Sequence, residues 1–292
     1  MTILGIDTST FTTSVAIVAG DAQSPSLLAE RESRVRNHSN MLLELIDEAL
    51  KDALSAPLAD PPTSPRAATD APAPAASHAL SQLDGLAIGA GPGSFTGLRI
   101  GMATAKGLAF AAGLPLFSVP SLAALACDAH PRSPARATTA RAPAPEVGSV
   151  VMPVMDARRG EIFVGLYRLE TDGVTPLSDD RVLAPEALPA LLDELRDRVA
   201  GQPLYTLGDG LSAHAEVLTA ALSELAVPLA GARDTPSAAA VAWLAAACDA
   251  PDRAATATPM YLRPSEAEIK YPHGNPGGTF ASRAPKPRPG PK

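Results

Sequence analysis

The stretch Ile88-Gly89-Ala90-Gly91-Pro92-Gly93-Ser94-Phe95-Thr96-Gly97-Leu98-Arg99-Ile100-Gly101 joins an apolar run to a helical pattern rich in small side chains. Glycine lets the backbone adopt a positive φ and lets a neighbour approach without an intervening Cβ. The unpaired amides at the start of the following helix attract negative charge. The stretch therefore predicts a strand-loop-helix unit that either cradles a phosphate or packs tightly against a neighbour.

Common catalytic and phosphate-loop patterns do not fit this stretch. A Walker A loop needs a lysine directly after its glycines, whereas the next lysine is Lys106, and a dinucleotide fingerprint needs a third glycine where Thr96 stands. The glycines that flank a hydrolase serine are missing around Ser94. A phosphate cradle and a packed turn without ligand both stay open, and a protease is disfavoured.

Apolar runs alternate with helical patterns along the chain, which predicts an α/β protein. We expect strands over residues 3–6, 14–18, 83–88, 116–119, 150–155, 162–167 and 204–207, and helices over 38–54, 96–112, 121–129, 185–200, 213–225 and 236–248.

One unit of this pattern occurs twice. An apolar strand, an aspartate, a short polar turn and a second apolar strand surround both Asp7 and Asp156. Two copies predict two related domains that face each other across a cleft. The paired carboxylates there would hold a metal-phosphate complex or orient a water molecule, unless they merely cap their turns.

Three segments, 55–79, 131–145 and 272–292, hold 6, 4 and 6 of the 30 prolines. Their composition cannot bury enough apolar surface to offset the entropy of ordering. We interpret the first two as surface insertions and the third as a disordered basic tail. None of the three is expected in the core.

The charge and the termini place further limits on function. The net charge of −7 disfavours a general nucleic-acid binder. Met1 leads directly into a strand without a basic start, and no apolar run approaches the ~20 residues that span a bilayer. We expect a cytoplasmic protein without membrane contact.

Five motifs, taken in order and at their spacing, resemble the TsaB (YeaZ) family, and the match covers essentially the whole folded part. The motifs are Ile6-Asp7-Thr8-Ser9-Thr10, the glycine stretch from Gly91 to Gly101, Met155-Asp156-Ala157-Arg158-Arg159-Gly160-Glu161, Gly208-Asp209-Gly210 and Tyr261-Leu262-Arg263. The resemblance implies two RNase H-like domains of the actin, Hsp70 and sugar-kinase (ASKHA) clan, with mixed sheets flanked by helices. The expected bounds are 1–118 and 119–271, with helix 236–248 packing back onto the first domain.

The resemblance also implies a function. Members of this family are non-catalytic companions of the transferase TsaD, with the ATPase TsaE as a third component, in making N6-threonylcarbamoyladenosine in tRNA. We accordingly expect no catalytic residue and no activity of the chain alone, tRNA contact only through the complex, and a homodimer when TsaD is absent. The alternative is an independent nucleotide-dependent enzyme of the same clan.

The transferase of this family carries a His-x-x-x-His pair that binds metal on one helical face. The aligned positions here are Ser121 and Leu125, so no metal site is expected. His130 follows beside the second insertion, outside the expected folded body. A nucleotide, ATP or ADP with magnesium, is expected at the partner interface and not tightly held. The residues expected to face its phosphates are Asp7, Thr8, Ser9, Gly91, Gly93, Asp156, Gly208 and Gly210.

Two helices are expected to form the partner interface. Apolar residues occupy about half the circumference of helix 38–54, more than the roughly 100° stripe of an ordinary surface helix. Helix 96–112 has little side-chain bulk, which lets another helix approach closely. The residues expected in the interface are Met41, Leu42, Leu45, Leu98, Met102, Ala105 and Ala109.

Overall fold

A computed structural model describes residues 1–34, 38–55, 79–135, 144–199, 201–223, 225–248, 250–252 and 255–263. Nearly all of the first insertion, residues 136–143 of the second and the whole tail lie outside this described part. One compact unit runs from Met1 to Leu262. The expected boundary between residues 118 and 119 stays a prediction.

The first sheet is built on a hairpin of β1 (Thr2–Asp7) and β2 (Thr13–Ala19), extended antiparallel by β3 (Ser26–Ser33). On the other side β4 (Gly85–Gly91) and β5 (Leu116–Pro120) add parallel strands. Helix α1 (His38–Ser55) leads from β3 to β4, and α2 (Phe95–Ala112) leads from β4 to β5. Within the described residues the strand order is β3-β2-β1-β4-β5.

The second sheet repeats this order. The hairpin of β6 (Val150–Arg158) and β7 (Glu161–Val164) is antiparallel, and β11 (Leu204–Leu207) and β12 (Val227–Pro228) add parallel strands beside β6. The other elements are α3 (Ser121–Asp128), β8 (Tyr167–Glu170), β9 (Gly173–Pro176), β10 (Arg181–Leu183), the 3-10 turn Pro185–Ala187, α4 (Leu188–Glu194), α5 (Arg196–Val199), α6 (Asp209–Ala213), α7 (Ala215–Leu222) and α8 (Ala238–Ala246). The α/β class and the two mixed sheets flanked by helices are confirmed.

Helices cover both faces of the first sheet. The faces alternate along β1, so that Leu4 and Ile6 point towards α1 and α2, whereas Ile3 points towards α8. Helix α8 has an apolar sequence and is buried on nearly every side, as its composition requires. Gly5 permits this contact, because a Cβ there would overlap the carbonyl oxygen of Ala238.

Strand β3 was not predicted, and two of the predicted elements are divided in the structure. Strand β3 lies at the sheet edge, where its polar sequence hides the alternation expected of a half-buried strand. The strand expected over 162–167 is divided at Gly165, where a Cβ would overlap the carboxylate of Asp180. The helix expected over 185–200 forms a 3-10 turn and two short helices instead.

Residues 133–135 of the second insertion lie in the core, which corrects the interpretation of this part as surface. Ser133 and Ala135 are buried, and Ala135 packs in the apolar cluster that contains Trp243. His130 is likewise part of the folded body. Its Nδ1 accepts from the Arg132 amide at 3.0 Å, so Nε2 carries the proton and donates to the Glu170 carbonyl at 2.7 Å.

In the described ranges, no helix has the length together with the apolar character that crossing a bilayer requires.

The contact between β1 and α8 leads to a stability prediction. Gly5→Ala should lower the free energy of unfolding by about 2–3 kcal/mol, because α8 must move off the strand. Gly107→Ala is the matched control, since a Cβ there meets nothing within 4 Å, and it should raise the unfolding free energy by up to about 1 kcal/mol. Urea denaturation measures both, and equal effects would contradict the contact.

Candidate functional site

The glycine loop and the start of α2 pack directly on the turn between β1 and β2. A Cβ at Gly93 would overlap the carbonyl oxygen of Ser9, and a Cβ at Gly97 would overlap that of Thr8. One turn later, a Cβ at Gly101 would overlap the Thr8 hydroxyl. Close approach to this turn therefore explains the three glycines without any ligand.

Hydrogen bonds join the same two segments. The Ser94 amide donates to the Ser9 carbonyl at 2.6 Å, and the Thr8 hydroxyl donates to the Gly97 carbonyl at 2.8 Å. The Ser94 hydroxyl caps α2 by accepting from the Gly97 amide at 3.3 Å. The start of α2 is therefore held by the backbone carbonyl of Ser9 and the side-chain hydroxyl of Thr8, both in the β1–β2 turn.

Asp7 lies beneath this loop, and its carboxylate is fully buried. Oδ1 accepts from the amide and the hydroxyl of Ser9 at 2.9 and 2.7 Å, and Oδ2 accepts from the Ser121 hydroxyl at 3.0 Å. The Ser121 hydroxyl in turn accepts from the Gly91 amide at 3.2 Å. Burial raises the pKa of Asp7 to about 6, although these hydrogen bonds oppose the shift.

The first half of the expected phosphate site is thus occupied by the chain's own groups. Asp7, Thr8 and Ser9 are turned inward and buried. A Cβ at Gly91 would lie 2.6 Å from the Met260 carbonyl oxygen, so Met260 covers the loop from the other side. These residues form no open phosphate cradle. A role towards a nucleotide stays a prediction for them.

The second half contains a polar cluster around Asp156. Asp156 donates its amide to Oδ1 of Asp209 at 2.9 Å, and its Oδ2 lies 3.0 Å from Nη1 of Arg158. His214 Nε2 is 3.5 Å from Asp156 Oδ1. Burial raises the pKa of Asp209, and the charge of Asp156 adds to that rise. Gly208 and Gly210 place this cluster against β6, where Val154 leaves little room for a side chain.

One contact connects the turns of the two halves. Arg158 places its guanidinium carbon 4.2 Å from the centre of the Phe11 ring, which lies in the β1–β2 turn. Sequence reasoning missed Phe11, Asp209 and His214 as members of this cluster. Asp209 could have been predicted from the sequence, since it lies between the two glycines expected to face phosphate. No sequence spacing connects Phe11 to Arg158.

The two positions expected to align with the transferase's histidine pair lie in α3. Ser121 is engaged with Asp7, and Leu125 is a buried core residue. Leucine has no atom that binds a metal. Across the described part of the chain, no group of three or more His, Cys, Asp and Glu side chains is arranged to hold a metal ion.

The residues expected in the partner interface need correction, because most of them face inward. Met41 is half-buried, and the other six are buried within the chain: Leu42, Leu45, Leu98, Met102, Ala105 and Ala109. The apolar surplus of α1 packs against its own sheet and beside α2. An arginine at Ala105 would therefore enter the core and test stability, not partner binding.

Helix α2 has an outward face that is exposed. It consists of the small residues Ala103, Gly107 and Ala111 and of one large residue, Phe110, which is 88% exposed. On α1, Leu43 is 56% exposed among acidic residues. An exposed phenylalanine beside a face without bulk is a surface on which a second helix packs closely.

Comparison with known proteins connects this geometry to a family. A family model described as TsaD, tRNA N6-adenosine threonylcarbamoyltransferase, matches residues 69–271. The chain is similar to the tRNA threonylcarbamoyladenosine biosynthesis protein TsaB of Bacillus subtilis, at 28% identity over 93% of this chain and 98% of that protein. The Escherichia coli protein of the same name is 28% identical over 73% of each chain. Among solved structures, YeaZ from Pseudomonas aeruginosa is 27% identical, covers 89% of this chain and 99% of its own, and gives a TM-score of 0.62.

The buried carboxyl of Asp7 leads to a prediction about pH. Its folded pKa of about 6 lies above the ~3.9 of an unfolded aspartate, so between these values the native state holds a proton that the unfolded state has released. Stability therefore falls as the pH rises from about 4 to about 6, by about 3 kcal/mol from this group.

Asp7→Asn should remove this contribution, because an amide can donate to the Ser121 hydroxyl and still accept from Ser9. The measurement is the wild-type minus variant difference in unfolding free energy, from urea denaturation between about pH 4 and about pH 7. A difference that does not change with pH would contradict the assignment.

Proposed function

Because the chain belongs to the family described by the model of TsaD, tRNA N6-adenosine threonylcarbamoyltransferase, and within it to the TsaB (YeaZ) members, we propose that it acts in tRNA threonylcarbamoyladenosine biosynthesis. Its role there is to bind and activate TsaD without catalysing transfer itself. The observation that carries this proposal is the exposed face of α2, where Phe110 stands beside the small residues Ala103 and Gly107.

The chemistry of the interior supports a non-catalytic role. The carboxylate of Asp7 is buried and bonded to Ser9 and Ser121, so it is not available to a substrate. Ser121 and Leu125 occupy the positions of the transferase's histidine pair. A companion that binds one conformation of TsaD more tightly than another raises the population of that conformation. Activation needs no catalytic group on this chain.

The other members of the complex follow from the same proposal. TsaE is the third component, tRNA contacts this chain only within the complex, and a homodimer forms through the outward face of α2 when TsaD is absent. Since no open phosphate cradle is formed around Asp7, we place any ATP or ADP with its magnesium mainly against the partner's residues at the junction.

Reconstitution tests the activating role directly. TsaD and TsaE, supplied with tRNA and an activated threonylcarbamoyl donor, should form threonylcarbamoyladenosine much faster when this chain is added than without it. Equal rates with and without the chain would contradict activation. Turnover of ATP by the purified chain alone, lost in Asp7→Ala, would favour an independent enzyme of the same clan.

A point variant tests the surface. Gly107→Arg should weaken binding to TsaD by at least about tenfold, because a long charged side chain prevents close approach of a second helix. The fold should be kept, since a Cβ at this position meets nothing within 4 Å. Titration calorimetry with TsaD measures the affinity.

Ala220→Arg is the matched control, an exposed alanine on α7 in the other half of the chain. It should leave the affinity unchanged. If Gly107→Arg binds TsaD as tightly as the wild type, the outward face of α2 is not the interface.

A further inference from the structure

Residues 255–262 form a segment that runs beside α2, here called the strap. Its Met260 amide donates to the Ala90 carbonyl at 2.7 Å, at the end of β4. Its Ala257 is buried in the same apolar cluster as Met102 and Ala105 of α2. The strap is therefore attached to the sheet at one point and to the core at another.

Side chains of α2 reach the strap along one stripe of the helix. Lys106 donates through Nζ to the carbonyls of Ala255 and Ala257, at 3.2 and 3.0 Å. About two helical turns before Lys106, Arg99 donates through Nε to the Tyr261 hydroxyl at 3.1 Å.

Aromatic contacts complete the arrangement at the start of the helix. The rings of Phe95 and Tyr261 lie with their centres 4.9 Å apart, and the guanidinium carbon of Arg99 is 3.8 Å from the centre of the Phe95 ring. At 100° per residue, Phe95, Arg99 and Lys106 occupy a single stripe. The strap thus follows the helix for about three turns.

Helix α2 depends on such side contacts because its buried face is made of small residues. Gly97, Gly101, Ala105 and Ala109 bury little apolar surface, and Leu98 and Met102 are the larger buried members. Apolar stabilisation scales with the area buried. Contacts at the side of the helix therefore contribute a larger share of the free energy that holds it in position.

The strap stripe also borders the outward face of the helix. Phe110 and Ala103 follow next around the circumference, on the side away from the core. A change in the strap would therefore rotate or loosen the surface that a partner helix contacts.

We infer that the strap positions α2 for its partner, and that Tyr261 is the positioning residue through its contacts with Arg99 and Phe95. This inference rests on the proposed function and adds the element that positions the same surface. Loosening the strap weakens partner binding while the chain stays folded.

A double-mutant cycle tests this inference. Tyr261→Phe and Arg99→Gln should each weaken binding to TsaD by about threefold to tenfold. The double variant should bind no more weakly than Arg99→Gln, because both substitutions remove the same hydrogen bond and Arg99→Gln also removes the contact with Phe95. Additive losses would mean that Arg99 contacts the partner directly, and would overturn the positioning role. Tyr205→Phe, a half-buried tyrosine on β11, is the matched control and should bind as the wild type does.

Hydrogen exchange of the isolated chain supplies a readout that needs no partner. Tyr261→Phe should speed exchange of the α2 amides and leave those of α7 unchanged. Faster exchange with unchanged affinity in both Tyr261→Phe and Tyr261→Ala would overturn the inference, because the strap would then be structural only. If Gly107→Arg weakens binding but the Tyr261 variants do not, the strap inference fails alone. If Gly107→Arg has no effect, the outward face of α2 is not the interface. Failure of the proposed function itself shows separately, as equal transfer rates with and without this chain.

Discussion

The close packing of the glycine loop on the β1–β2 turn is the constraint on which the rest of this half depends. The backbone of Thr8 and Ser9 occupies the space that side chains at Gly93 and Gly97 would need. The Ser94 amide donates to the Ser9 carbonyl and the Thr8 hydroxyl donates to the Gly97 carbonyl, so the contact is short, polar and directional. It fixes where α2 begins and which way it points. The helix then has one face on the core, one side on the strap and an open outward face.

The two halves share a topology but use their matching aspartates differently. Asp7 is enclosed and bonded to groups that stabilise the loop above it, which makes it a structural residue of the first half. Asp156 is less enclosed, and it belongs to a cluster with Asp209, Arg158 and His214. A repeated strand order therefore does not imply repeated chemistry, since the residues that cover each strand end decide what its carboxylate contacts.

A large part of the fold was predictable from local patterns. Apolar runs marked most strands, and the repeated strand-aspartate-turn unit indicated two related halves. The edge strand β3 was not predictable in this way. Among the described residues it pairs only with β2 and its other edge is not paired in the sheet, so its sequence needs no regular alternation of apolar residues. The burial of Ala135 was also not predictable, since a proline-rich composition describes the average of a segment and not the one residue that joins the apolar cluster of Trp243. The predicted interface residues were wrong for a related reason. An apolar arc shows that one face of a helix is buried, but it does not show whether the same chain or a partner buries it.

The sequence by itself determined the class of the protein, its family, the loop at Gly91–Gly101 and the helix that follows, because each of these depends on residues close together along the chain. Tertiary structure decided what the loop does. Thr8, Gly97 and Met260 are far apart in sequence, and only folding brings the turn beneath the loop and the strap above it. The same holds for the partner face, because whether Ala105 or Gly107 faces outward depends on how α2 rotates against a sheet assembled from distant strands.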